Sequence, residues 1–163
     1  MRAGDGELQD FDALPPEERE RILRELPAIA VELSPLVRVI PVGEQRQSSG
    51  VTVELLAVEV REAGAVVYRR ARAEGDRDLG EPALGVADDA GTSYRLDWAG
   101  FSAGGSRFED QIVIRPAPLH GKLIFTVGRW QSMPPLGERW PPPIEGAWEF
   151  VVPLEDGQAG AGA

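Results

Sequence analysis

The sequence predicts an all-β fold, an antiparallel β-sandwich of about seven or eight strands preceded by one short α-helix. From Leu36 onward, apolar and polar side chains alternate with a period of two, as in strands that bury one face. The 19 glycines and 14 prolines lie mostly between these alternating segments, where turns are needed. No helical pattern separates the strands, which argues against a parallel α/β sheet.

An acidic tail and a single amphipathic helix are predicted for residues 1–34. The helix covers about residues 15–26, because Pro16 suits its first position and Pro27 cannot continue it. Three apolar side chains share one face of this helix: Ile22, Leu23 and Leu26. That face predicts either a lid packed on the main domain or a docking site for a partner protein.

The β-sandwich domain is predicted at residues 35–154, and residues 155–163 are predicted to form a disordered tail. The predicted strands are Leu36–Val42, Val51–Arg61, Ala65–Ala73, Ala83–Asp88, Thr92–Trp98, Phe108–Arg115, Lys122–Trp130 and Gly146–Leu154. The apolar face changes within the second strand, which predicts a bulge near Leu55–Ala57. The proline-rich segment Gln131–Glu145 is too long for a tight hairpin, so we expect it to cross between the two sheets.

The composition excludes several classes of function. With 17 basic and 27 acidic residues, the net charge of −10 argues against binding to nucleic acid or to an anionic membrane. The absence of cysteine excludes disulfides, thiolate metal sites and cysteine nucleophiles. The one histidine, His120, lies in a predicted turn, where an exposed residue is favoured over a catalytic base. We therefore predict no cofactor, no bound metal and no catalytic residue.

Two groups of acidic residues are candidate sites that fit the required chemistry poorly. Asp76, Asp78 and Glu81 are close enough in sequence to suggest calcium, but the EF-hand spacing is absent, so a solvated loop is favoured. Glu109 and Asp110 are neighbours on a strand and point to opposite faces, whereas a glycosidase needs two converging carboxyl groups.

Three arginines on one predicted strand form a short basic strip. In the favoured register Arg69 points inward among small apolar residues, so we expect it near a rim with its charged end in water. Arg70 and Arg72 point outward, and we expect the strip to pair with Glu54 and Glu59 on the neighbouring strand.

Two tryptophans, Trp130 and Trp140, flank the proline-rich segment. Strict alternation predicts Trp130 on the strand face opposite Leu123 and Phe125. There it could pack under the segment, or it could form an aromatic patch with Trp140 for a ligand or a peptide.

The first residues are acidic and lack an apolar core, and no apolar run approaches the roughly 18 residues of a membrane-spanning helix. We therefore expect no export signal and a cytoplasmic location, and an association with the cell envelope stays open.

Three segments carry a resemblance to a known family: Pro41–Arg46, Gly50–Leu56 and Gly146–Leu154. Together with the Asp-Asp-x-Gly-Thr-x-Tyr pattern at Asp88–Tyr94, they make residues 36–154 similar to immunoglobulin-like domains of uncharacterised bacterial proteins, especially actinobacterial ones. Domains that look similar occur in envelope proteins and beside anti-sigma factors. The resemblance implies an immunoglobulin-like sandwich and assigns no catalytic or ligand-binding residue.

These observations favour a non-enzymatic interaction or regulatory domain with a protein partner. The sandwich pattern is regular, and no group of residues forms a convincing catalytic constellation. The first alternative is a small-ligand binding module that uses Trp130 and Trp140. The second is a hydrolase with dispersed carboxylates or His120.

Overall fold

Eight strands form two antiparallel sheets in the computed structural model, which describes residues 11–154. The strands are β1 (Leu36–Ser48), β2 (Val51–Arg61), β3 (Gly64–Ala73), β4 (Glu81–Asp88), β5 (Arg95–Gly104), β6 (Arg107–Arg115), β7 (Lys122–Gln131) and β8 (Ile144–Pro153). The larger sheet has the order β1-β2-β3-β6-β5, and the smaller sheet has the order β4-β7-β8. The predicted all-β, sandwich-like fold is confirmed. Residues 1–10 and the predicted disordered tail at 155–163 lie outside the described residues.

The inner faces of the two sheets share one apolar core. Its largest fully buried side chains come from both sheets: Leu55, Ile112, Ile114, Leu123, Phe125, Trp130, Trp148 and Phe150. The indole N–H of Trp148 on β8 donates a hydrogen bond of 2.9 Å to the Val51 carbonyl on β2. A direct polar contact therefore links the sheets beside the apolar packing.

The predicted bulge in β2 is confirmed. The register between β2 and β3 shifts between Leu55 and Ala57, so β2 carries one extra residue there. Because of this extra residue, Val53 and Leu55 before the bulge bury the same face as Val58 after it.

The prediction that the proline-rich segment crosses between the sheets is wrong. β7 and β8 are neighbours in the smaller sheet, with Phe125 directly opposite Phe150. The segment is thus a long connection between two paired strands of the same sheet.

Two short helices precede the first strand, α1 (Pro16–Glu25) and α2 (Pro27–Leu33). The single helix predicted at residues 15–26 corresponds to α1. Pro27 ends α1 as expected, but it also begins α2, because proline is well suited to the first position of a helix. Between residues 11 and 154, neither helix has the length or the apolar composition to cross a membrane.

The helix that packs on the larger sheet is α2, and α1 packs on α2. Val31 on α2 is fully buried on the outer face of the sheet against Val66 and Val113. Burial of one such side chain contributes about 1.5–3 kcal/mol. The close packing at this point needs a glycine, since a Cβ atom at Gly64 would lie only 2.3 Å from the Ile114 carbonyl oxygen of β6 and 3.0 Å from Cγ2 of Val31.

Candidate functional site

A buried ion pair lies inside the sandwich, between β3 and β6. Arg69 is directly opposite Asp110, and each residue is only 4% exposed. Arg69 Nε donates a hydrogen bond of 3.0 Å to Asp110 Oδ1, and Nη2 donates to Oδ2, so the guanidinium holds the carboxylate at both oxygens. The expected position of Arg69 at a water-filled rim is wrong, because Asp110 provides the counter-charge within the core.

Trp98 on the edge strand β5 completes this cluster. Its indole N–H donates a hydrogen bond of 3.1 Å to Asp110 Oδ2, and the residue is 43% exposed. Glu109 is exposed while Asp110 is buried, so the prediction that these neighbours point to opposite faces is confirmed. Both oxygens of Asp110 are engaged by fixed donors, which is the arrangement of a structural carboxylate.

A shallow depression of about 360 Å³ lies on the outer face of the same sheet. Its polar lining comes from four neighbouring strands: Gln45 on β1, Thr52 and Glu54 on β2, Arg70 and Arg72 on β3, and Arg107 and Glu109 on β6. The side chains on β2, β3 and β6 alternate with the buried residues of their strands, so the depression lies on the side of the sheet that faces away from the core.

One arginine of the depression has a carboxylate partner. Arg70 Nε donates a hydrogen bond of 2.7 Å to Glu54 Oε2, and this contact lowers the pKa of Glu54 below its ordinary value. The predicted pairing with Glu54 is therefore confirmed for Arg70. Glu59 instead forms an ion pair with Arg61 on its own strand, at 3.1 Å.

The other two arginines of the depression, Arg72 and Arg107, lie directly opposite each other on β3 and β6. Both are exposed, and neither guanidinium group forms an ion pair or a hydrogen bond with any of residues 11–154. The predicted pairing of Arg72 with a glutamate of β2 is thus wrong, since its ladder partner on β2 is Thr52. The sequence could not show that Arg107 is the neighbour on the other side.

The two tryptophans at the proline-rich segment have very different environments. Trp130 is 2% exposed and meets Phe108 edge to face, with 5.2 Å between ring centroids. The prediction that Trp130 and Phe125 point to different faces of β7 is wrong. The register of β7 shifts between Val127 and Arg129, and this shift places Trp130 on the core face together with Phe125. Trp140 is 65% exposed.

The apolar residues predicted as partner contacts on α1 remain accessible in part. Ile22 is half-buried, whereas Leu23 and Leu26 are exposed. Four further exposed apolar residues follow within a short stretch of chain: Leu33, Leu36, Val37 and Val39. We call Leu23, Leu26, Leu33, Leu36, Val37 and Val39 the N-terminal apolar surface. It contains half of the exposed large apolar side chains of the described residues.

A network of hydrogen bonds holds the turn after β4. Asp88 Oδ1 accepts from the backbone N–H groups of Ala90 (3.0 Å) and Thr92 (2.9 Å), and Oδ2 accepts from the Tyr94 hydroxyl (2.8 Å). The hydrogen bonds from Thr92 are the main cause that lowers the pKa of Asp88 to about 2. Burial, and then the hydrogen bond to Asp88, raise the pKa of Tyr94 to about 12. These contacts give Asp88 the role of a turn former.

The remaining candidate residues are exposed. His120 lies in the connection between β6 and β7, and Asp76, Asp78 and Glu81 lie at or near the connection before β4. Arg77, within that acidic group, donates a hydrogen bond of 2.8 Å to the Ser49 carbonyl. In the part of the chain that the structure describes, no group of three His, Cys, Asp or Glu side chains is arranged to hold a metal ion.

No protein-family model, curated protein or solved structure matches this chain.

Proposed function

We propose that this chain is a non-enzymatic, immunoglobulin-like interaction domain whose protein partner binds the N-terminal apolar surface. The observation that carries the proposal is the concentration of exposed apolar side chains at residues 23–39. Large apolar side chains that stay exposed within one short stretch of chain are candidates for a surface that binds another protein.

The order of the strands supports the immunoglobulin-like part of the proposal. Immunoglobulin constant-type domains place strands A, B, E and D in one sheet and strands C, F and G in the other. With β2 as strand A, the orders β2-β3-β6-β5 and β4-β7-β8 match this arrangement, and β1 is an additional edge strand. The inter-sheet disulfide of antibody domains is absent here, and Phe125, Trp148 and Phe150 fill the core instead. The resemblance to bacterial immunoglobulin-like domains belongs to the same proposal.

The chemistry of the partner follows from charge. Residues 1–34 contain nine acidic and four basic residues, a net charge of −5, and they include α1 and α2. A partner with an apolar centre and a basic rim complements such a surface, whereas a second copy of this chain would bring the same negative charge. We therefore assign the surface to a different protein with a basic contact region.

The small-ligand alternative has less support. It needs an aromatic patch formed by two tryptophan rings, and the Trp130 ring is buried against Phe108 in the core. Trp140 alone supplies an exposed ring at the proline-rich segment.

The test is affinity capture from the native cell extract with a surface variant and a matched control. In the double variant Leu26→Glu/Val39→Glu, charges replace two exposed residues of the N-terminal apolar surface. In the control Leu136→Glu, the same change is made at a fully exposed leucine of the proline-rich segment. We expect one basic protein to be captured by the wild type and by the control, but not by the double variant.

The captured protein is then purified and titrated calorimetrically against each form. We expect the double variant to raise Kd at least tenfold, and higher salt to weaken binding because the rim is electrostatic. Equal capture by all three forms would refute the proposal. A concentration-dependent dimer that Leu26→Glu abolishes would assign the surface to self-association instead.

A further inference from the structure

Arg72 and Arg107 place two cations side by side on the outer face of the larger sheet. Because they are directly opposite on neighbouring strands, their Cβ atoms lie about 4.5–5.5 Å apart. Like charges in this position destabilise a sheet. No carboxylate among residues 11–154 forms an ion pair with either guanidinium.

The two carboxylates that line the depression, Glu54 and Glu109, lie opposite Arg70 in the ladder and not opposite Arg72 or Arg107. Glu54 is engaged by Arg70 at 2.7 Å and by the Gln45 amide at 3.3 Å. Glu109 is directly opposite Arg70 in the ladder between β3 and β6. The depression therefore has a cationic end, formed by Arg72 and Arg107, and an end where carboxylates and polar groups accompany Arg70.

We propose that this depression binds a small phosphate monoester that also carries hydroxyl groups. The planar guanidinium groups of Arg72 and Arg107 match the oxygens of a phosphate, which accepts several charged hydrogen bonds at once. Glu54 and Glu109 accept hydrogen bonds from the hydroxyl groups. The volume of about 360 Å³ suits a single small molecule.

The same arrangement disfavours a long polyanion such as nucleic acid. A second phosphate placed along the depression would meet the carboxylates of Glu54 and Glu109, and the chain as a whole has a net charge of −10. A ligand with one phosphate and neutral hydroxyl groups complements both ends of the depression. This site is independent of the N-terminal apolar surface and of its partner.

Isothermal titration calorimetry with the full chain at low salt tests the proposal, with glucose 6-phosphate as the probe. Inorganic phosphate and glucose represent its two parts, and succinate represents a dicarboxylate. We expect glucose 6-phosphate to bind more tightly than either part or succinate. The substitutions Arg72→Gln and Arg107→Gln should each raise its Kd about tenfold or more, since each removes charged hydrogen bonds.

The control is Arg95→Gln, because Arg95 is also exposed and also lies opposite an arginine, Arg115, in the same sheet. This variant should leave the Kd unchanged. Thermal unfolding without ligand verifies that the variants fold, and relief of the like-charge contact should leave Arg72→Gln at least as stable as the wild type. An equal loss of binding in Arg95→Gln, no binding of any probe at millimolar concentration, or tighter binding of succinate would overturn the proposal.

Discussion

Strands β3 and β6 carry two cross-strand pairs, three residues apart, that are built in opposite ways. Arg69 and Asp110 have opposite charges, lie in the core and hold each other at both carboxylate oxygens. Arg72 and Arg107 have the same charge, lie on the outer face and have no counter-ion among residues 11–154. The same pair of strands therefore presents a satisfied site on one side and an unsatisfied one on the other.

The difference shows what burial demands of a charged residue. A charge in the core must be paired, because its desolvation costs several kcal/mol. A charge on the outer face remains hydrated, so the sheet tolerates two adjacent arginines at a small cost. An unpaired cluster of this kind is available for an external anion, whereas the buried pair is not.

The largest expected effect comes from breaking the buried pair. Asp110→Leu leaves the Arg69 guanidinium buried without a counter-ion and should lower the free energy of unfolding by about 3–5 kcal/mol. Urea denaturation measures this loss. The double variant Arg69→Met/Asp110→Leu removes both charges and should recover most of it. Equal destabilisation of the single and double variants would mean that packing, and not charge, determines the effect.

A smaller loss should follow from changing the third member of the cluster. Trp98→Phe keeps most of the ring but removes the indole N–H that donates to Asp110. The free energy of unfolding should fall by about 1 kcal/mol, because Asp110 keeps both contacts from Arg69. The matched control Trp140→Phe, at an exposed ring outside the sheets, should leave the urea midpoint unchanged.

A substitution in the outer pair of Arg72 and Arg107 should raise the free energy of unfolding instead of lowering it. Arg72→Glu places a carboxylate opposite Arg107 and should raise the free energy of unfolding by about 0.2–1 kcal/mol. The thermal midpoint measures the gain, which high salt should reduce. A loss of stability would contradict this expectation and would show that Arg72 makes a stabilising contact in the wild type.

At Asp88 the pKa is set by hydrogen bonds more than by burial, because this partly exposed carboxylate accepts hydrogen bonds from Ala90, Thr92 and Tyr94. Its pKa is lowered from 3.8 to about 2, so its contribution to stability is present above about pH 4 and is lost as the pH falls toward 2. In thermal melts, the midpoint of the wild type should be higher than that of Asp88→Asn at pH 5. The difference between the two midpoints should decrease as the pH falls toward 2. A difference that is constant with pH would contradict this assignment.

The existence of each strand was predictable from the sequence because a period of two is a local pattern, although β1 and β5 extend beyond their predicted ends at Val42 and Trp98. The bulge in β2 was predictable for the same reason, since the apolar face changes within one strand. Residues whose environment depends on pairing between distant strands were not predictable. Asp110 is 41 residues from Arg69, and β3 and β6 are not consecutive in the chain.

The errors at Trp130 and Pro27 have local causes. Gly128 lies where the register of β7 shifts, and a glycine inside a strand is a signal for a bulge. Pro27 can end one helix and begin the next, and the apolar residues after it, including Val31, form the face that α2 buries. Both signals were present in the sequence, but each admitted a second interpretation.

The edge strand β1 has a consequence for the behaviour of the protein at high concentration. It is 13 residues long and exposes Val37 and Val39, which makes it a template for aggregation through strand pairing. The register of its pairing with β2 shifts between Pro41 and Glu44, and Pro41 has no backbone N–H to offer to an incoming strand. This interruption breaks the regular edge in its middle, so Pro41→Val should favour fibrils or other strand-mediated aggregates.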